Sequence, residues 1–165
     1  MKPTAYDVAA FVIKYSIAVG HPVSNLQLQK ILFMSQCESL GRTYETMFDD
    51  EIVAWQFGPV VRGVYNTYSY RGASSLKKAI RPYVSYVRNQ RRDFICLSEC
   101  SVDITRRIVD KYAGGNPWEL VYDACRPYGA WYTTYYDLFG KDEEGAGFRN
   151  EISDVLMFNE ESFID

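Results

Sequence analysis

Residues 24–41, SNLQLQKILFMSQCESLG, decide how the rest of this chain is read. Ser24 followed three residues later by Gln27 is a capping box, in which each side chain satisfies the other's backbone N–H at a helix start. Leu26, Leu28, Ile31, Leu32, Phe33, Met34, Cys37 and Leu40 then cover well over half of the surface of the implied helix, and Gly41 is its stop. A helix that apolar is either central to a core or half core and half interface.

On its N-terminal side, Thr4 and Asp7 repeat the capping signature. Val8, Phe11, Val12, Tyr15, Ala18 and Val19 recur at helical spacing until Gly20 and Pro22 break the pattern. On its C-terminal side, residues 42–59, RTYETMFDDEIVAWQFGP, are rich in β-branched and aromatic side chains. They predict a short hairpin turning at Asp49-Asp50-Glu51, with its second strand over 52–57. Gly58-Pro59 then opens a helix, proline being tolerated at the first helical position. Val61, Val64, Tyr65 and Tyr68 are its buried stripe and Gly72 its end.

Further along, Ser75 caps a short helix that Pro82 ends, and residues 83–87 and 94–97 predict two strands pairing around an Arg-rich turn. Ser98 or Ser101 starts a helix with Ile104, Ile108, Val109 and Tyr112 inward. Asn116-Pro117-Trp118-Glu119 starts another, with Asn as cap and Pro in first place. A last clear helix includes AWYTTYYDLF (130–139), KDEEGAG (141–147) is a loop, and the segment at 152–158 is a short helix or an extended arm. The fold class expected is mainly α: a single compact helical domain over 1–165 with a short β-hairpin inserted after the second helix.

Of 165 residues, 47% are hydrophobic and 24% charged, which excludes a disordered or collagen-like chain. The 14 tyrosines within a 16% aromatic content cannot all be buried, because each buried hydroxyl needs a partner; many belong at a surface or an interface. A net charge of −3 gives no global attraction to nucleic acid or to an anionic membrane. The charge is uneven, however. Residues 71–92 hold seven basic residues and no acid, whereas 137–165 hold nine acids against Lys141 and Arg149. The favoured reading is that these segments complement one another; a patch for a phosphate backbone is the sharper alternative. Neither a signal peptide nor an apolar run of membrane-spanning length is present, so a cytoplasmic protein with reduced thiols is expected.

A chemical site is hard to assemble. Cys96, Cys100 and Asp103 lack a fourth metal ligand, and small buried hydrophobes explain the two cysteines better. The single histidine, His21, lies between a helix-ending glycine and Pro22, where it reads as a polar turn residue. Asp49, Asp50 and Glu51 read as a solvated turn, and Gly114-Gly115 lacks the spacing and the lysine of a phosphate loop. No catalytic residue, metal or cofactor is predicted, specific nucleic-acid binding is not expected, and the remaining class is protein interaction.

Residues 25–36, NLQLQKILFMSQ, and 48–72, FDDEIVAWQFGPVVRGVYNTYSYRG, together with AYDVAAFVI (5–13), resemble the Panacea, or SocA-like antitoxin, domain of bacteria and their phages. The resemblance implies a protein that neutralises a co-encoded protein toxin by direct binding. Related modes are an adaptor that delivers the toxin to an intracellular protease, and a phage-encoded inhibitor of a host protein. The motif residues Asn25, Leu28, Gln29, Lys30, Trp55, Gly58, Pro59 and Tyr65 are either structural or partner-binding. Trp55 is expected to pack over the joint at Gly58, while Gln29 and Lys30 either face outward or satisfy the hairpin backbone. Arg62, Asn66 and Ser69 lie on a different face from the buried stripe and are the candidate partner contacts. One departure stands out. Where family members commonly place a histidine before a tryptophan, this chain reads LVYDACRPYGAW (120–131), with Cys125 or Arg126 near that place and Trp131 following.

Overall fold

The computed structural model describes residues 2–80, 97–139 and 150–165. Its helices are α1 (Ala5–Ala18), α2 (Asn25–Thr43), α3 (Arg62–Tyr68), α4 (Glu99–Tyr112), α5 (Pro117–Ala124), α6 (Ala130–Phe139) and α7 (Asp154–Phe158). A two-stranded antiparallel hairpin, β1 (Val53–Trp55) and β2 (Gly58–Val60), stands between α2 and α3. The molecule is mainly α with that hairpin placed as expected. Thr4 and Ser24 both close complete capping boxes, and Asn116 caps α5 with Pro117 in its first turn.

Helix α2 is central to the core. From residue 27 to 40 it is buried on every side, enclosed by α1, α3, α4, α5, α7 and β2. It nevertheless carries Gln29, Lys30, Gln36, Glu38 and Ser39 into that interior. Buried polar groups need partners, and these find theirs in the backbone of surrounding loops. The Gln36 carboxamide accepts from Met47 N (2.8 Å) and donates to the Phe48 carbonyl (2.9 Å). Ser39 Oγ donates to the Glu45 carbonyl (2.8 Å), and Glu38 accepts from the backbone N–H of Phe163 and from Ser162 Oγ. Ile104, Ile108, Val109 and Tyr112 are buried on α4 as expected.

The hairpin differs from the expectation in its partner strand. Its turn is Gln56 and Phe57, not the acidic triplet, and Val53 pairs with Val60. The physical reason is that the preceding backbone is already engaged, because Gln36 holds Met47 and Phe48. The acids have separate tasks. Asp50 accepts from Ala5 N–H at the start of α1 (2.8 Å), Asp49 pairs with Lys2 (2.6 Å), and Glu51 lies 3.7 Å from Arg62. The other edge of β1 is covered by the C-terminal segment: Ala54 N–H donates to Asn150 and Ile152 N–H to Ile52 (both 2.8 Å). Gly58-Pro59 therefore belongs to β2 rather than opening a helix, and α3 starts only at Arg62.

Gly41 lies inside α2, which ends at Thr43 with Tyr44 in the left-handed region (φ 61°). No helix forms over 75–80, where Ser75 instead bridges to Ser24. Cys100 is exposed rather than buried. The expected strand at 83–87 and all but Leu97 of the one at 94–97 lie outside the described residues, as do four of the seven basic residues of 71–92 and three of the nine acids of 137–165. The acids of 150–165 that form ion pairs do so with Arg42, Arg107 and Arg126. Among the described residues no helix is long and apolar enough to cross a membrane.

Candidate functional site

One face of α2 meets the hairpin, and the meeting is built by side chains spaced four and five residues apart. Asn25 donates to the Tyr65 carbonyl (3.0 Å) and accepts from Gln29 Nε2 (2.9 Å). Gln29 in turn accepts from Val61 N–H (3.0 Å), and Lys30 Nζ donates to the Pro59 carbonyl (3.1 Å). The backbone at the β2–α3 junction has few partners of its own, so α2 supplies them from a buried polar row. Of the two alternatives for Gln29 and Lys30, the structure realises the second: both are 1% exposed and satisfy the hairpin side of the joint.

Gly58 is pinned at the centre of this row. Its φ of +107° favours glycine, and a Cβ there would lie 2.7 Å from Lys30 Cε and 2.9 Å from Cys125 Sγ. Lys30, Gly58 and Cys125 thus form one contact, with Cys125 at the end of α5. Burial dominates both titrating groups. It brings the Lys30 ammonium down from an ordinary 10.5 to about 8, partly offset by the nearby thiol, and pushes Cys125 up to about 11 against the pull of Lys30. At neutral pH the pair is mostly an ammonium beside a neutral thiol. Trp131 follows the motif and closes the joint, its indole N–H donating to the Trp55 carbonyl (2.8 Å). The Trp55 ring stands edge-on to Tyr65 at 5.1 Å.

Above this buried row lies an open cleft of about 590 Å³. Leu26, Gln29 and Lys30 line it from α2, and Trp55, Phe57 and Val60 from the hairpin. Tyr65 and Tyr135 add walls from α3 and α6. Phe57, at the tip of the two-residue turn, is 61% exposed. Aromatics continue along α6: Trp131 stacks on Tyr135 (4.9 Å), Tyr132 packs on Tyr136 (4.6 Å), and Tyr128, 87% exposed, packs on Tyr132 (5.5 Å).

The structure therefore brings Asn25, Gln29, Lys30, Trp55, Gly58, Pro59 and Tyr65 together. Tyr65, expected in the buried stripe of α3, is only partly buried and serves as a cleft wall. Leu28 is wholly buried and lies outside the cleft. Arg62 and Asn66 on α3, and Ser69 in the 3-10 turn that follows it (Ser69–Arg71), lie outside the cleft, while Val61, Val64 and Tyr68 are buried. Phe57 and Tyr135 went unnoticed as site residues. Phe57 read as strand, and Tyr135 was one of several tyrosines on one helix; only their convergence in space distinguishes them. Among the described residues no group of His, Cys, Asp and Glu side chains is arranged to hold a metal ion.

Known proteins resemble this chain over a range that includes Gln29, Lys30, Trp55, Gly58, Pro59 and Tyr65. A family model described as "Antitoxin SocA-like, Panacea domain" matches residues 28–132. "Antitoxin SocA" of Caulobacter vibrioides (strain NA1000 / CB15N) is 25% identical over 130 residues, covering 71% of this chain and 69% of that protein. No solved structure matches the chain. The match takes in α2 from Leu28 onward, the hairpin, α3 to α5 and the first residues of α6, more than half of the chain, and the chain belongs to the SocA-like antitoxin family and carries the Panacea domain.

Proposed function

We propose that this protein is an antitoxin that neutralises a co-encoded protein toxin by direct, non-enzymatic binding. One observation carries the reading. The chain exposes Phe57 and a run of tyrosines around the joint where its motif residues converge, although burying large apolar rings is what folding ordinarily favours. Tyr and Trp are the side chains that dominate protein–protein contacts, supplying area at low entropic cost together with a polar handle. Arg62 and Asn66 of α3, with Ser69 in the turn that follows it, continue from the cleft wall at Tyr65 and are proposed as a flanking contact.

The reading is tested by co-expressing the protein with the product of the neighbouring reading frame. Growth rescue together with co-purification of the two chains, in cells with and without their energy-dependent proteases, is expected. Rescue that disappears with the proteases would replace blocking by delivery to a protease. Rescue without any complex would contradict binding altogether.

A further inference from the structure

The cleft contains a charge that no described residue neutralises with an ion pair. An ammonium offers three donors, and among the described residues Lys30 spends one, on the Pro59 carbonyl, and forms no ion pair. Cys125, the titrating group that acts on Lys30, is a neutral thiol at pH 7 and offers no compensating charge. Lys30 is 1% exposed, so water does not take the place of a counter-ion freely, and a lone buried charge is costly. The walls around it are aromatic, and the Phe57 ring projects beside them at the hairpin tip.

We propose that this cleft is the docking site for an extended segment of the partner protein, which presents a carboxylate to Lys30 and lays apolar side chains between Trp55, Phe57, Tyr65 and Tyr135. The proposal rests on the reading of the protein as a direct toxin binder and names the surface and the chemistry it recognises. Charge complementarity selects the carboxylate. The open shape selects a polypeptide over a small molecule, because the wall residue Tyr135 packs on Tyr136 (5.3 Å), 52% exposed, which carries the aromatic surface on to Tyr132 and Tyr128.

The experiment uses the intact protein, the intact product of the adjacent toxin gene, and overlapping 15-residue peptides of that product as probes. Binding is measured by calorimetry for wild type, Lys30→Met, which keeps the buried stem, and Phe57→Ser, which changes only an exposed tip. Both variants are expected to keep the wild-type circular dichroism spectrum and a cooperative melt, and to bind the toxin at least tenfold more weakly. One acidic, apolar peptide is expected to bind wild type and not Lys30→Met. Neutralising its carboxylate in the toxin should cost nothing further in the Lys30→Met background. Folded variants that bind the toxin like wild type would overturn the cleft while leaving direct binding intact. Wild type that binds no toxin would overturn direct binding and the proposal with it. A free-protein dimer that Phe57→Ser dissociates would assign the cleft to a second copy and overturn the proposal as well.

Discussion

Gly58 and Lys30 show how far single residues govern this joint. A methyl group on Gly58 meets Lys30 and Cys125 below van der Waals distance in a backbone region that L side chains avoid. Strain and overpacking together predict that Gly58→Ala loses about 2–4 kcal/mol, read as a lower urea midpoint; an unchanged midpoint would show that the joint yields easily. Lys30 makes a pH-dependent prediction. Below about pH 8 the ammonium is charged in folded and unfolded chains alike, and the fold bears its full burial cost. Between about 8 and 10.5 only the unfolded chain keeps the proton, so wild-type stability gains from this group as pH rises. Cys125 acts oppositely between about 9 and 11, since its buried thiol keeps a proton that the unfolded chain releases. That contribution is common to wild type and Lys30→Met and largely cancels in their difference. Lys30→Met is therefore expected to be the more stable protein at pH 7, with its advantage shrinking by about 3 kcal/mol by pH 10.5. An advantage that does not change with pH would contradict the buried charge.

At the scale of elements, most helices were legible, but the one expected from Ser75 does not form over 75–80, α3 starts at Arg62, and the hairpin's partner was not legible. Capping boxes at Thr4 and Ser24 and the apolar surface of α2 are local signals, and local geometry honoured them. Which strand β1 would meet depended on Gln36, eleven and twelve residues upstream of the backbone it holds, and no local pattern announces that bond. The same holds for the site. Its motif residues were visible as a set, but whether Gln29 and Lys30 faced outward or inward was settled only by the carbonyls and N–H groups beside them. Helix α3 separates fold from function cleanly. Val64 is wholly buried, so Val64→Asp places an unpaired carboxylate in the core at a cost of several kcal/mol. The variant should lose its cooperative melt and toxin rescue together. Arg62 lies 3.7 Å from Glu51 with both side chains partly exposed, a pair worth under about 1 kcal/mol. Arg62→Glu should therefore melt within a few degrees of wild type while rescuing less well. A folded variant with full rescue would remove the outer face of α3 from the contact.

Across the whole molecule, α2 acts as a buried polar scaffold to which segments from the middle and the C-terminal end of the chain are tied. Asn25, Gln29 and Lys30 hold the hairpin, Gln36 the segment before it, and Glu38 the C-terminal residues 162–163. Surface aromatics are left over from this construction: Phe57 stands at the hairpin tip and Tyr128 and Tyr136 pack on Tyr132 of α6, while Tyr44, Tyr70, Trp118, Tyr122 and Phe158 lie on other parts of the surface. A protein that acts by covering its partner must be consumed in proportion to it, whereas one that modifies its partner need not be. The decisive measurement is a titration of the purified protein into a fixed amount of active toxin, well above the dissociation constant, with residual toxin activity as the readout. Direct binding predicts a linear fall that reaches zero at a fixed whole-number ratio and reverses when the chains are separated; complete inactivation by a small fraction of an equivalent, persisting after separation, would contradict it.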